Sequence, residues 1–299
     1  MASNPLPIQR GASHKVATIV LEQPGRSVVV LDRALLVRLD DTLNEIESAL
    51  GSEIEGVVLA SASDRVFVAG ADLAEIDGLD DAELDEYLAL GQRVYGRIAA
   101  LPCTTVAAVN GAVLGGGLEI AMHCDRIVGL RPAADAKPYL VGLPEAGLGI
   151  CPGWGGACLL PARMDPAEAI KRTATGKPMK ADAAHEAGIL EELADTKEEL
   201  MELAQRLALE PKTDRLNPAE PIHLMQGRID LAQDALENAM SDLEMTPAAV
   251  GVCTAVRTCI EKGWKNYLDA ERATLIRLRH TDTAKERIGA FLGKDTARA

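Results

Sequence analysis

The sequence predicts an α/β fold whose last third is helical. Three observations carry this. Short runs rich in valine and alanine alternate with segments of helical period up to about residue 195. The composition is 47% hydrophobic but only 3% aromatic, so a core must be assembled mainly from Val, Leu, Ile and Ala. From Lys197 onward the helical composition is interrupted only by a linker containing Pro218 and Pro221. A chain of 299 residues can bury a large core. The expected division is 1–195 for the α/β core and 196–299 for helices that pack on that core or on a neighbouring subunit.

In chain order, residues 1–13 are polar and read as a loose tail, and residues 15–22 (KVATIVLE) as the first strand, with a turn at Pro24-Gly25. Residues 28–31 continue extended. Asp32 then opens a helix on which Leu35, Leu36, Leu39, Leu43, Ile46 and Leu50 share one face. Residues 54–60 (IEGVVLA) form another buried strand, and this strand, helix, strand order predicts parallel pairing through a right-handed crossover. Gly70-Ala71-Asp72 allows a tight turn with the Ala71 N–H directed inward. The acidic stretch GLDDAELDE starts an amphipathic helix that runs to Leu101, capped by Asp80 or Asp81. Residues 105–109 (TVAAV) suit a fully buried strand, and Asn110-Gly111 turns the chain toward Gly115, Gly116 and Gly117 and the helical LEIAMHC. Asp165-Pro166 is a further helix start, with proline at the first helical position.

Chemistry concentrates between residues 105 and 156. Three glycines before a helix let backbone N–H groups approach a ligand, and the helix start adds partial positive charge, so the geometry favours an anion. Glu119 falls in the first turn of that helix. Glu145 follows the break Gly142-Leu143-Pro144 and precedes a glycine-rich segment ending at Gly156. Two carboxyl groups aimed at one cavity can divide acid and base work, because burial and mutual repulsion push their pKa values apart. The plainer alternative makes Glu119 a helix cap and Glu145 a surface acid. Trp154, between Gly153 and Gly155, needs a special turn to be held at all.

Several function classes fit poorly. A net charge of −14 opposes the basic footprint of a nucleic-acid binder. No stretch approaches the roughly 18 apolar residues of a membrane span, and the N-terminal MASNPLPIQRGASHK lacks the apolar middle of a signal peptide, so a cytoplasmic address is expected. The six cysteines include no CxxC pair and no histidine at zinc-ligand spacing, and are expected to be reduced and buried; no metal is expected at His123 and Cys124. No GxGxxG fingerprint with a downstream acid and no P-loop lysine appears, so no NAD cofactor is implied.

The segment VNGAVLGGGLEIAMHCD, followed by GLPEAGLGICPGWGG and preceded by VFVAGADL, resembles the crotonase (enoyl-CoA hydratase/isomerase) superfamily. The likeness spans residues 15–293 and is greatest to the hydratase half of the bacterial multifunctional fatty-acid oxidation enzyme. It implies a crotonase-like spiral of ββα units with a C-terminal helical region, and an enoyl-CoA hydratase. It also implies that Glu119 and Glu145 are catalytic and that the Ala71 and Gly116 N–H groups hold the thioester oxygen. Residues Ala69, Ala71, Asp72 and Leu73 would meet coenzyme A, with Arg26 and Arg65 as candidates for its phosphates, and Trp154 would border the acyl pocket. Coenzyme A enters as part of the substrate, with no further cofactor. The alternatives within the superfamily are a 3-enoyl to 2-enoyl isomerase and a thioester hydrolase; outside enzymes, a silent acyl-CoA-binding subunit. Family precedent implies a homo-oligomer, a trimer, whereas likeness to the multifunctional enzyme implies a separate dehydrogenase partner. Ala157 and Cys158 depart from the family's usual residues but stand outside the expected proton-transfer pair.

Overall fold

The computed structural model describes residues 4–11, 14–133, 136–212 and 214–296. Its elements begin with β1 (Ile8–Arg10), β2 (Val16–Leu21), α1 (Arg33–Ala49), β3 (Gly56–Ser61), β4 (Val66–Val68), α2 (Leu73–Gly78) and α3 (Asp81–Ala100). They continue with β5 (Thr104–Val109), β6 (Ala112–Leu114), α4 (Gly116–His123), β7 (Arg126–Leu130), β8 (Leu140–Gly142), α5 (Gly156–Leu159) and α6 (Pro166–Thr175). After β9 (Met179–Lys180), α7 (Ala181–Glu186) and β10 (Glu192–Ala194) come α8 (Lys197–Ala208), α9 (Leu224–Gly227), α10 (Ala232–Asp242), α11 (Pro247–Arg279) and α12 (Asp282–Thr296).

Two sheets organise the core. The larger runs β1-β2-β3-β5-β7-β10, parallel throughout except for the antiparallel edge strand β1. The smaller runs β4-β6-β8-β9, with only β9 antiparallel. The central strands of the large sheet are buried on both faces, which is why they read as unbroken apolar runs. Val58, Val106, Ala108 and Val128 meet Leu200, Ala204 and Leu207 of α8 on one face, while Val57, Leu59, Ala107, Val109 and Ile127 join the main core on the other. The helix from Lys197 therefore completes the sheet, and the division expected at 195/196 cuts between β10 and the helix that covers it.

The expected loose tail is corrected in part. Ile8 pairs opposite Ile19, so residues 8–10 close the free edge of β2, while residues 1–3, 12 and 13 lie outside the described residues. Asp32, Asp80 and Asp165 cap α1, α3 and α6. Asp80 forms a reciprocal capping box with Glu83, which decides between it and Asp81.

α11 is broken at Gly263, whose φ of +80° is unavailable to a helix. The break redirects residues 264–279 across the core. Arg272 there bonds Asp85 and Gln92 of α3, and Arg279 reaches the carbonyls of Ile76 and Leu79. α12 then packs on α2 and on the turn at residues 145–148, where Arg287 donates to the Gly147 carbonyl. Among the described residues no helix is long and apolar enough to cross a membrane.

Candidate active site

The site begins where β6 stops. Gly115, with φ +53° and ψ −128°, bends the chain into α4 without a side-chain cap, so the first N–H groups of the helix have no intrahelical acceptor. Gly116 supplies one of them. Opposite, Gly70 turns the chain at φ +119°, and a Cβ placed there would lie 3.9 Å from the Gly116 nitrogen. Ala69 and Asp72 donate to the Val29 and Leu31 carbonyls, and Leu31 donates to the Gly70 carbonyl. That pairing leaves the Ala71 N–H on the side facing away from residues 29–31. Ala71 and Gly116 both line a cavity of about 490 Å³.

Both glutamates line the same cavity, in different surroundings. Glu119 is buried, and its Oε1 accepts from the Trp154 and Gly156 N–H groups, each at 2.8 Å. Glu145 opens a 3₁₀ turn after Pro144, with its Oε2 sealed from solvent and without a hydrogen-bond partner among the described residues. Its Oε1 lies 2.8 Å from where Gly115 would carry a Cβ, and the Gly115 φ of +53° is one that side chains rarely adopt. Burial pushes Glu119 well above the carboxylate range; the negative neighbours Glu271 and Glu145 add to this, and the two N–H donors oppose it. Burial likewise pushes Glu145 up to about 8. Both acids are thus pushed toward the neutral form, but Glu119 has two N–H donors that favour its carboxylate, whereas Glu145 Oε2 has none among the described residues.

A stability prediction follows from Glu145. Its ordinary value is 4.5 and its folded value about 8, so the folded protein holds the proton more tightly. That contribution is fully present below about 4.5 and is lost as pH rises through about 8. Glu145→Gln keeps the shape and removes the titration. The Tm of the variant relative to the wild type is expected to rise between pH 5 and pH 9 by at least about 2–4 °C, the effect of roughly 1 kcal/mol in a domain approaching this size. A Tm difference constant across that range would contradict the raised value.

Trp154 lies between two glycines that leave it room. A Cβ on Gly91 would fall 2.2 Å from its Nε1 and one on Gly116 2.3 Å from its ring. Its Nε1 donates to the Leu88 carbonyl at 3.0 Å, and Tyr87 and Tyr95 meet the ring edge-on. With Ile76, Leu88, Leu275 and Phe291 it contributes to the apolar part of the cavity wall.

The residues expected to meet coenzyme A separate into two groups. Ala69, Ala71 and Leu73 line the cavity with the acids. Arg26 and Arg65 line a second cavity of about 660 Å³ together with Val29, whose carbonyl accepts from Ala69. Asp72 is in neither wall: it caps α2 by accepting from Ala74 and Glu75, and holds Arg26 at 3.2 Å. His123 is a core residue whose Nδ1–H donates to the Glu119 carbonyl, and burial lowers it to about 4. All six cysteines are unbridged, five of them buried.

Sequence reasoning passed over a further buried acid near the cavity, Glu271 in the second half of α11. Its Oε2 accepts from Gly155 N–H at 2.7 Å, and its Oε1 from Ala157 N–H at 3.2 Å and from the Tyr267 hydroxyl at 2.5 Å. The available signal was helical phase. Trp264, Tyr267, Leu275 and Leu278 form a buried stripe, and Glu271 sits on it.

A sequence profile of the Enoyl-CoA hydratase/isomerase family matches residues 11–219. The chain is 33% identical over 264 residues to the fatty acid oxidation complex subunit alpha of Idiomarina loihiensis, a match covering 86% of this chain but 36% of that protein. The chain thus spans about a third of the length of this curated relative. Human mitochondrial delta3-delta2-enoyl-CoA isomerase superposes with a TM-score of 0.69 at 21% identity, covering 99% of each chain. An enoyl-CoA hydratase from Bacillus anthracis superposes with a TM-score of 0.61 at 24% identity, covering 97% of each. The architecture is accordingly the crotonase fold. By sequence, the chain belongs to the Enoyl-CoA hydratase/isomerase family.

Proposed function

We propose that the chain hydrates 2-trans-enoyl-CoA thioesters to 3-hydroxyacyl-CoA. One observation carries the reading: the buried Glu119 and the half-buried Glu145 line, in contrasting environments, a cavity shared with the Ala71 and Gly116 N–H groups. The thioester carbonyl oxygen accepts from those two N–H groups. Glu119, as carboxylate, takes a proton from water while the water oxygen bonds to C3, and the C2=C3 electrons move toward the carbonyl as an enolate. Glu145, as neutral acid, delivers its proton to C2, which completes the addition of one water. Proton exchange with solvent restores the starting forms. Each N–H donor of this kind is typically worth a factor of about 100–1,000 in rate. Coenzyme A would lie along Ala69, Ala71 and Leu73, with its phosphates toward Arg26 and Arg65; Asp72 acts indirectly, by holding Arg26.

The test is loss of conjugated thioester absorbance with crotonyl-CoA and longer 2-enoyl-CoAs, with 3-enoyl-CoAs and free-thiol release as further arms. Turnover of 3-enoyl esters alone would replace hydration by isomerisation, and thiol release would replace it by hydrolysis. Binding without turnover in any arm would leave a silent acyl-CoA-binding chain. Trp154 gives a specificity prediction. Trp154→Phe frees space in the apolar wall and is expected to raise kcat/KM for octenoyl-CoA relative to crotonyl-CoA about tenfold, comparable to one methylene in an apolar pocket. An unchanged ratio would exclude the indole from chain-length selection.

A further inference from the structure

The turn at residues 154–158 shares its N–H groups between two carboxylates. Trp154 and Gly156 donate to Glu119, each at 2.8 Å, whereas Gly155 and Ala157, in alternation with them, donate to Glu271. The next N–H, from Cys158, is accepted by the Tyr267 hydroxyl at 3.2 Å, and that hydroxyl in turn donates to Glu271. Trp264 fixes the same turn from the side, since its ring lies 2.8 Å from where Gly155 would carry a Cβ. Glu271 does not line the cavity, yet its carboxylate holds the peptide units that alternate along the turn with those bonded to Glu119.

We propose that Glu271 is a positioning residue for the reaction, acting from α11 through the turn at residues 154–158 on the orientation and charge of Glu119. The inference rests on the assignment of Glu119 as base. An N–H that accepts no rearrangement without breaking a charge-assisted bond to Glu271 is a stiff support for the neighbouring N–H on Glu119. Misplacing a reacting group by about 1 Å can lower turnover roughly a hundredfold, so the support is worth having. Charge acts alongside geometry: Glu271 is one of the two negative neighbours that raise Glu119, and it is itself pushed up to about 7, chiefly by burial. The titratable groups facing it are Glu119, Glu145, Cys151, Cys158, Cys259 and Tyr267.

The test is Glu271→Gln in the full chain, read in two ways. Turnover of crotonyl-CoA is expected to show kcat lowered about tenfold or more with KM changed less than about threefold, as expected when a reacting group outside the binding contacts is misplaced. Independently of turnover, the ¹³C carboxyl titration of Glu119, identified by its loss in Glu119→Gln, is expected to move down because a negative neighbour is gone. A folded Glu271→Gln protein with unmoved kcat and an unmoved Glu119 titration overturns the proposal. If the wild type turns over no enoyl-CoA, the hydratase assignment fails, and the carboxyl titration still decides the coupling. Should Glu271→Gln not fold, Tyr267→Phe takes its place, since it keeps the carboxylate and deletes one donor to it. A kcat lowered severalfold at constant KM supports the proposal; an unchanged kcat overturns it.

Discussion

Glu119→Gln and Glu145→Gln are each expected to lower kcat for crotonyl-CoA about a thousandfold, within the range of roughly 100 to 10,000 for a positioned acid or base. Each should leave the affinity for butyryl-CoA, which cannot be hydrated, within a few-fold. The argument differs for the two residues. In Glu119→Gln the amide oxygen can still accept from the Trp154 and Gly156 N–H groups, so the turn stays in place and only the capacity to take a proton is lost. In Glu145→Gln the residue loses a proton donor at Oε2, an atom with no hydrogen-bond partner among the described residues, so no contact to them at that atom is broken. The double variant should be little worse than either single one, because residues that act as a unit are not additive. An asymmetric outcome is equally informative. If Glu145→Gln alone stops conversion of 3-enoyl esters while Glu119→Gln spares it, one acid suffices for the main reaction and the isomerase reading gains. Tight binding with no turnover in the wild type would remove the catalytic reading of both residues.

Much of this site was legible because its residues follow breaks in the chain. Glu119 stands one residue beyond Gly115–Gly117 and Glu145 directly after Pro144, and the structure brings both to one cavity. The buried strands β3 and β5 announced themselves as valine and alanine runs because both faces are covered. The strands β1, β6, β8 and β9 have two or three residues each, too few to display a period, and exist through the neighbours they pair with. Asp72 shows a different limit. An aspartate after a tight turn serves a ligand or the next helix equally well in sequence, and here the α2 N–H groups and Arg26 occupy it. Glu271 escaped notice because LDAERATLIRLR is full of charges, and only the helical phase set by Trp264 and Tyr267 separates it from exposed Asp269. The kink that makes this possible depends on one glycine, Gly263, inside an otherwise regular helical pattern.

The largest expected effect on stability comes from Asp125, the residue that joins α4 to β7. Its side chain is fully buried, and its Oδ2 accepts from the Thr105 N–H at 2.8 Å and hydroxyl at 2.7 Å. The Lys212 ammonium lies 3.4 Å from the same carboxylate, and the Arg215 guanidinium bonds the other oxygen. Both cations come from the linker after α8, a stretch whose sequence suggests only a connection. They also bind the carbonyls of Ala99, Leu101 and Cys103, so one carboxylate ties the linker to the end of α3 and the start of β5. Asp125→Ala would leave the nearly sealed Arg215 and the half-buried Lys212 side chains without their counter-charge. Removing one partner from a buried ion pair costs about 3–5 kcal/mol, which here corresponds to a Tm lowered by roughly 10 °C. Asp125→Asn, which retains an acceptor for Thr105, should lose somewhat less. Replacing Asp125, Lys212 and Arg215 together by apolar residues should recover much of the loss, because the penalty comes from uncompensated charge more than from missing attraction. If the triple variant were no more stable than Asp125→Ala, the cluster would act through its carbonyl contacts, with the ion pair secondary. The turnover of folded Asp125→Ala at low temperature should stay near that of the wild type, because the residue lines neither cavity and bonds neither Glu119 nor Glu145.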